Sequence, residues 1–328
     1  MIETMNDVSV KISILHPAPL VGLGRPAIFV SGVSESYKEY STLSAVKENY
    51  PESTTTYQKA RAIFRQVNAP DTIAVITHTG NIAKAAEQFF LKPWHFALLA
   101  DYDQADALEL AKFIEQQEYK FLVVQVPTTT TAFSGKNLTI VAVHNVSDEH
   151  LDAAVIGNAA SLTVGSVTWK GRPRLVGVTP RNLKVAELEN IHTNGGFAYV
   201  EKAGVPQTSE GKTAAGEFID ALHGDHWVKS TIEARLQHLL SNSDKIEFNA
   251  HGIALLQSEV ISVLDEAFAN GIVDMDDETG AANYSVNALQ RDALNPADIG
   301  RRNYRGLSFN YKRSGAIHSV NVIGEIEV

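Results

Sequence analysis

Residues 72 to 126 read Thr72-Ile-Ala-Val-Ile-Thr77, Ala83-Lys-Ala-Ala-Glu-Gln-Phe-Phe-Leu91, His95-Phe-Ala-Leu-Leu-Ala100, a segment opened by Asp103, and Phe121-Leu-Val-Val-Gln-Val126. The three short apolar runs have the length of buried strands, and the segments between them carry helical spacing, with Leu108, Ala111 and Ile114 on one face behind an Asp103 N-cap. Strands alternating with helices of this length imply a mostly parallel, layered sheet. The pattern extends in both directions. Upstream lie the strand Ala27 to Val30 and a helix opened by Thr54-Thr55-Thr56, with Tyr57, Ala60, Phe64 and Val67 on one face. Downstream lie the strand Thr139 to Val143 and a helix expected to be capped by Ser147, with Asp148 and Glu149 in its first turn and Leu151, Val155 and Leu162 inward.

Between Val164 and about Thr213 the pattern gives way to a loop-rich section punctuated by Gly171, Pro173, Gly177, Pro180, Gly195, Gly196, Gly204 and Pro206. From Asp225 it becomes clean again. A helix is expected over Val228 to Leu240, and a second from about Gly252 with Ile253, Leu256, Val260, Leu264 and Phe268, stopped by Asn270-Gly271. Tyr284, Val286 and Ala288 alternate as a strand, as do Leu307, Phe309 and Tyr311. Both chain ends read as strands. Val8, Val10, Ile12 and Ile14 alternate with polar residues and are set apart by His16-Pro17-Ala18-Pro19, and Ala316 to Val328 is expected to run as a strand to the last residue. The fold class is therefore an α/β layered body with a smaller C-terminal α+β domain and extended terminal β-strand arms. The expected division is an N-terminal arm over 1–20, the body over 21–224, the α+β domain over 225–315 and a C-terminal arm over 316–328.

Composition narrows the function. The 328 residues are 44% hydrophobic and 20% charged, which fits a globular chain with a sizeable core. With 28 Lys and Arg against 38 Asp and Glu the formal charge is −10, a poor match for phosphate backbones or anionic lipids, so no direct nucleic-acid or membrane partner is expected. The absence of cysteine excludes disulfides, thiolate nucleophiles and Cys-based metal sites. Met1 to Asp7 has no basic region leading into an apolar run, and no uncharged apolar run approaches the roughly 18 residues of a membrane helix. Synthesis and folding in a cytoplasm are expected.

The motifs that carry chemistry fail one by one. Gly22-Leu-Gly24 has the start of a dinucleotide spacing, but Pro26 and the apolar run behind it make it a turn into a strand. Asp274-Met-Asp276-Asp277-Glu278-Thr279-Gly280 has Thr279 where a calcium loop needs glycine and Ser285 where it needs glutamate, and reads as a solvated acidic loop. His223-Gly-Asp225-His226 places two imidazoles near a carboxylate without a third ligand in helical register. Gly211-Lys212-Thr213 ends like a phosphate-binding loop, yet Val205 stands where its first glycine belongs. No catalytic or metal residue and no cofactor is expected. Arg301-Arg302 and Lys312-Arg313 are the notable basic pairs of the second half, either a solvated face or a contact with an acidic protein.

The terminal strands are the informative feature. Ordering a residue costs about 1–2 kcal/mol, and burying a β-branched side chain returns about 1.5–3 kcal/mol, so an arm such as Val8 to Ile14 is near balance alone. A sheet edge that completes its backbone hydrogen bonds tips that balance, whether the edge belongs to its own subunit or to another.

The second half resembles the contractile tail sheath family of bacteriophages and related injection machines. The resemblance lies in Thr213-Ala-Ala-Gly-Glu217-Phe-Ile-Asp220, His226-Trp227, Arg235-Leu-Gln-His-Leu-Leu240, Ile246-Glu-Phe248, Gly252-Ile253 and Asn270-Gly271-Ile272. It continues in Asp298-Ile-Gly-Arg301-Arg302 and Gly315-Ala316-Ile317-His318. More loosely, the first half is similar in Tyr57-Gln-Lys-Ala60-Arg-Ala-Ile-Phe64 and Pro70-Asp71-Thr72-Ile73-Ala74-Val75.

What the resemblance implies is a non-enzymatic subunit of a contractile tail, stacked as hexameric rings around a tail tube and contracting to drive the tube through the host envelope. It implies self-assembly through the arms, with Val8, Val10, Ile12, Ile14, Ile317, Val320, Val322, Ile323, Ile326 and Val328 as subunit-contact strands. Arg301, Arg302, Lys312 and Arg313 would be tube-facing. Tail tube, baseplate and tail terminator proteins would be its partners, the virion tail its location and the host cytoplasm its place of assembly. Two other classes stay open: a soluble α/β enzyme with a His/carboxylate site assembled only in the fold, and a baseplate or tube component.

Overall fold

A computed structural model describes residues 23–323. Val8, Val10, Ile12, Ile14, Ile326 and Val328, and with them the expected N-terminal arm, lie outside the described residues.

The first half forms β1 (Pro26–Ser31), β2 (Ser36–Tyr40), α1 (Leu43–Asn49), α2 (Thr55–Phe64), β3 (Ile73–His78), α3 (Ile82–Gln88), β4 (Phe96–Leu99), α4 (Gln104–Gln117), β5 (Phe121–Val126), β6 (Thr139–Val143) and α5 (Leu151–Ala159). There follow α6 (Val185–Thr193), β7 (Gly196–Phe197), β8 (Tyr199–Lys202) and β9 (Val205–Thr208). The second half forms α7 (Ile219–Asn242), α8 (Ala250–Ala269), β10 (Tyr284–Ala288), α9 (Pro296–Gly300) and β11 (Leu307–Tyr311).

A seven-stranded sheet in the order β2-β3-β1-β4-β5-β6-β7 carries the body, and every neighbouring pair is parallel except β2 with β3. All residues of β4 and β6 are buried, as strands covered on both faces must be. Helix α2 packs on α5, and α3 on α4. The edge strand β2 is polar, and its Tyr37 and Arg25 converge on Glu39, the charged edge that discourages pairing with other sheets. Gly24 makes the turn into β1 where the chain passes α5: a Cβ there would lie 2.4 Å from the carbonyl oxygen of Ala160.

Local signals were partly legible. Thr54 caps α2 and Asp103 caps α4 through side-chain hydrogen bonds. Val67, expected on the inner face of α2, lies beyond its end and is exposed. The helix expected to start at Ser147 starts at Leu151 behind His150, and it is buried on all sides rather than on one face. Its Asp152 carboxylate binds the Lys59 ammonium at 2.5 Å in the core between α2 and α5. The loop-rich section also holds more structure than its composition suggested: α6 and β7 come from it, and β7 closes the sheet beside β6.

The body core and a second cluster meet along α7. Ile219 belongs to the first core, whereas Val228, Ile232 and Leu236 pack with Val164, Val260, Val263, Leu264, Ala267, Ile272 and Val273 in the second. The boundary expected at residue 225 therefore falls inside a 24-residue helix. The sequence hid the helix's first turns because Asp220 to Trp227 is polar and glycine-bearing, yet His223, Asp225 and His226 are buried in a hydrogen-bonded junction. Gly224 is required there, since a Cβ would meet Ile272 at 2.9 Å. Strands β10 and β11 pair antiparallel with Tyr284, Val286 and Ala288 opposite Tyr311, Phe309 and Leu307, and all of these except Ala288 pack on the second core. That is the alternation read from the sequence.

Removing one partner of a buried ion pair strands the other charge, which costs about 3–5 kcal/mol. Asp152→Ala is expected to lower unfolding free energy by that amount in denaturant titration, whereas Lys59→Met with Asp152→Leu is expected to stay within about 2 kcal/mol of the parent.

Candidate assembly surface

The surface that stands out is built on α7 and α8. Its β10–β11 pair turns Tyr284, Val286, Leu307 and Phe309 toward the helices and leaves Ser285, Asn287, Ser308 and Asn310 exposed. Each strand has one neighbour among the described residues, so each keeps one rim of backbone groups without a strand partner. A two-stranded sheet is marginal alone and depends here on its packing against α7 and α8.

Beyond β11 the chain does not continue as a strand. The strand expected from Ala316 is absent over 316–323, because no described sheet edge reaches that segment. Its apolar side chains face solvent: Ile317 is 84% exposed, Val320 73%, Val322 86% and Ile323 95%. Four β-branched residues in eight, held out of any core, form a strand-like segment without a sheet.

The basic residues divide. Lys312 pairs with Asp274 at 2.9 Å. Arg313 binds Asp225 through both Nε and the terminal nitrogen, and Tyr311 Oη donates to the same carboxylate at 2.5 Å. Burial pushes the Asp225 carboxyl up, against the pull of Tyr311 and Arg313. These three side chains tie the end of β11 to α7. Arg301 pairs with Asp298 at 2.7 Å on the turn after α9, where Arg302 adopts a left-handed conformation at φ 56°. Arg302 and Arg305 have no ion pair among the described residues.

The His223-Gly-Asp-His226 segment is pulled apart by the helix. Asp225 faces Arg313, whereas both histidines face the body. His223 Nε2 donates to the Leu23 carbonyl at 2.8 Å, and its ring stacks on His95 with centroids 5.3 Å apart. His226 Nδ1 and His95 Nε2 share a hydrogen at 3.0 Å. Tyr119, Phe96, Phe121 and Trp169 wall the cluster, and the buried ammonium groups of Lys120 and Lys229 lie near it. Burial first, then the neighbouring histidines and after them the lysines, hold His95 and His226 well below the ordinary imidazole range, and burial holds His223 down at about 4. Burial also lowers Lys229 to about 8, against the pull of Glu233 and Glu118. Sequence spacing flagged His223 and His226 but gave no sign of His95, their partner 131 residues away from His226.

Elsewhere the candidate chemistry closes on itself. Asp276 Oδ1 accepts from Thr279 N at 2.9 Å and Thr279 Oγ1 at 2.8 Å, making the acidic segment a tight turn. Lys212 lies over the Phe218 ring at 4.9 Å. Ser31 Oγ and His78 Nε2 are 3.4 Å apart at the end of β1, but His78 Nδ1 is buried without a partner, so no acid orients the ring as a hydrolytic triad requires.

With this geometry in hand, the likeness to known structures is specific. The chain matches one from the six-fold symmetrised baseplate of the anti-feeding prophage over 98% of both chains, with a TM-score of 0.75 and 13% identity. A second match is to the sheath complex of PVC, an extracellular contractile injection system, in its contracted state, with a TM-score of 0.72, 11% identity and 98% of both chains covered. A sheath tail protein of Listeria innocua matches with a TM-score of 0.56 and 11% identity over 81% of this chain and 88% of that one. No family model and no curated protein matches the chain. The fold is thus one found in contractile sheath assemblies, in agreement with the resemblance carried by the sequence.

The histidine cluster fixes a pH response. Histidines depressed in the folded chain and near 6.5 unfolded favour folding above pH 6.5, and their contribution is lost as pH falls toward 4. The melting temperature is expected to drop progressively below pH 6.5, with a flatter slope in His226→Gln even though its Tm at pH 7 is lower. A melting temperature unchanged from pH 7 to 5 would contradict this assignment.

Proposed function

We propose that this chain is the repeating structural subunit of a contractile sheath, polymerising around an inner tube and shortening to push the tube through an envelope. The observation that carries the reading is an end-to-end match to sheath-containing assemblies, joined to an open two-stranded sheet and an exposed apolar tail in the same chain. The open rims of β10 and β11 would receive arms from neighbouring subunits by strand addition. Val8, Val10, Ile12 and Ile14 supply one such arm, and Ile317, Val320, Val322, Ile323, Ile326 and Val328 the other. Two arms per subunit make each link multivalent, so bodies can rotate as rigid units while neighbours stay tied.

The division of labour follows the two cores. The seven-stranded body forms the outer layer, and the α7–α8 unit with β10 and β11 faces the tube. Arg302 and Arg305, and Arg301 beside its own partner Asp298, offer positive charge to an acidic tube surface, in a chain whose net charge is −10. Lys312 and Arg313 direct theirs mainly at Asp274 and Asp225. The subunit acts without cofactor and without catalysis, and its place is the tail of a phage-like particle, with tube, baseplate and terminator proteins as partners.

Expression of the chain alone, followed by size-exclusion chromatography and negative-stain electron microscopy, tests the reading. Striated tubes or six-fold rings are expected, with loss of both on removal of residues 1–15 or 316–328 while the melting temperature of the body is retained. A monomer at every concentration, indifferent to trimming and to added tube protein, would contradict it.

A further inference from the structure

The segment that links β11 to the exposed tail is itself attached to the body, at one side chain. After β11, Arg313 bridges to Val273, and Ser314 N donates to the Ile272 carbonyl at 2.8 Å. The chain then crosses the junction between the two cores over a cavity of about 310 Å³ lined by Gly165, Thr168, Asp220, Ile272, Arg313 and Gly315. On the far side His318 enters a notch in the body. Its Nε2 and Thr168 Oγ1 are hydrogen-bonded at 2.9 Å, its ring stands edge-on to Phe218 with centroids 5.0 Å apart, and its Nδ1 faces Glu210 Oε1 at 3.5 Å. The His318 side chain is 14% exposed, in contrast to Ile317 before it and Val320 after it.

The notch is built from three segments of the body. Glu210 is held by the Gly211 amide at 3.0 Å and by Lys170 at 3.8 Å. Thr168 belongs to the loop-rich section, and Phe218 is the N-cap of α7. Asp220, in the first turn of α7, adds a second carboxylate whose field reaches His318. A side chain that hydrogen-bonds through one ring nitrogen, brings the other within 3.5 Å of a carboxylate without a hydrogen bond and packs edge-on to a ring meets all three walls, and histidine does so where the flanking isoleucine and valine cannot.

We propose that His318 roots the C-terminal arm in its own subunit, so that residues 313–318 form a fixed strap across the two cores and the exchangeable arm begins at Ser319. The inference rests on the sheath reading for its purpose, because it sets where an arm shared with a neighbour pivots as the body turns. The strap itself is a property of the single chain. With residues 313–318 held, Ile317 stays with its own subunit, a neighbour receives the chain from Ser319 onward, and rotation of the body is transmitted to the arm at its root.

The natural absence of cysteine makes the test clean. Ser166→Cys with Ala316→Cys, two positions that line the same cavity and leave Thr168 and His318 intact, bridged by a short bis-methanethiosulfonate reagent, reads whether the two positions belong to one chain. In assembled tubes a product running as a monomer on a denaturing gel is expected, and a ladder of dimers and higher species would overturn the proposal. In unassembled chain, thermolysin cleavage before Ile317 is expected to speed up about tenfold or more in His318→Ala as the strap opens locally. Cleavage before Val322 is expected to be unchanged. Equal rates before Ile317 in both chains would also overturn it. Failure of the parent chain to form tubes at all counts against the sheath reading and leaves the proteolysis result to decide the strap.

Discussion

Backbone without a strand partner at the rims of β10 and β11 is the constraint on which the other features depend. Two strands of five residues pack one face on α7 and α8 and have no third strand on either outer side, although Val286 O accepts from Gln257 Nε2 and Tyr284 N donates to the Ala282 carbonyl on the β10 rim. Such rims are a liability in a protein meant to stay monomeric, where charge, proline or a covering loop blunts them. The body follows that rule at its own edge, where β2 carries Tyr37, Lys38 and Glu39. At β10 and β11 the exposed residues are Ser285, Asn287, Ser308 and Asn310, neutral side chains that do nothing to repel a third strand. The same chain carries an exposed segment rich in isoleucine and valine that lacks a sheet. Under the proposed sheath reading these are the donor and acceptor of strand addition, and residues 316–323 pair with neither rim of their own subunit.

Helix α7 gives this arrangement mechanical meaning. It enters the body core at Ile219, passes the histidine cluster, and leaves through the second core by Leu236. Asp225, on its opposite side, holds Tyr311 and Arg313 at the end of β11. The sheet that would accept neighbours is therefore fixed to a helix whose root is the seven-stranded body, and a rotation of the body moves the accepting sheet with it. Lys59 and Asp152 serve the body in another way. A buried ion pair adds little net stability, but it penalises any packing of α2 against α5 that separates the two charges.

Much of this was legible in the residues. Period-two alternation gave β10 and β11 to the residue, because each strand has one buried and one open face. Continuous apolar runs gave β3, β4 and β5 for the complementary reason, burial on both faces. What escaped was governed by contacts distant in sequence. The polar first turns of α7 look like a linker until His95, Leu23 and Arg313 are seen to satisfy them. α5 lacks an amphipathic signal because it is enclosed, and β7 is two residues long, below what a pattern can carry. The C-terminal strand expected over 316–328 is not formed over the described residues 316–323. Ile317 to Ile323 have the residues of a strand and no sheet to join.

Amide hydrogen exchange on the assembled and unassembled chain reads the rims themselves. Peptides covering 284–288 and 307–311 are expected to gain protection on assembly together with the segment after Ser319, and to lose it when the arms are trimmed. Full protection of those strands in the free monomer, or a tail that stays unprotected in intact tubes, would contradict assembly by shared strands.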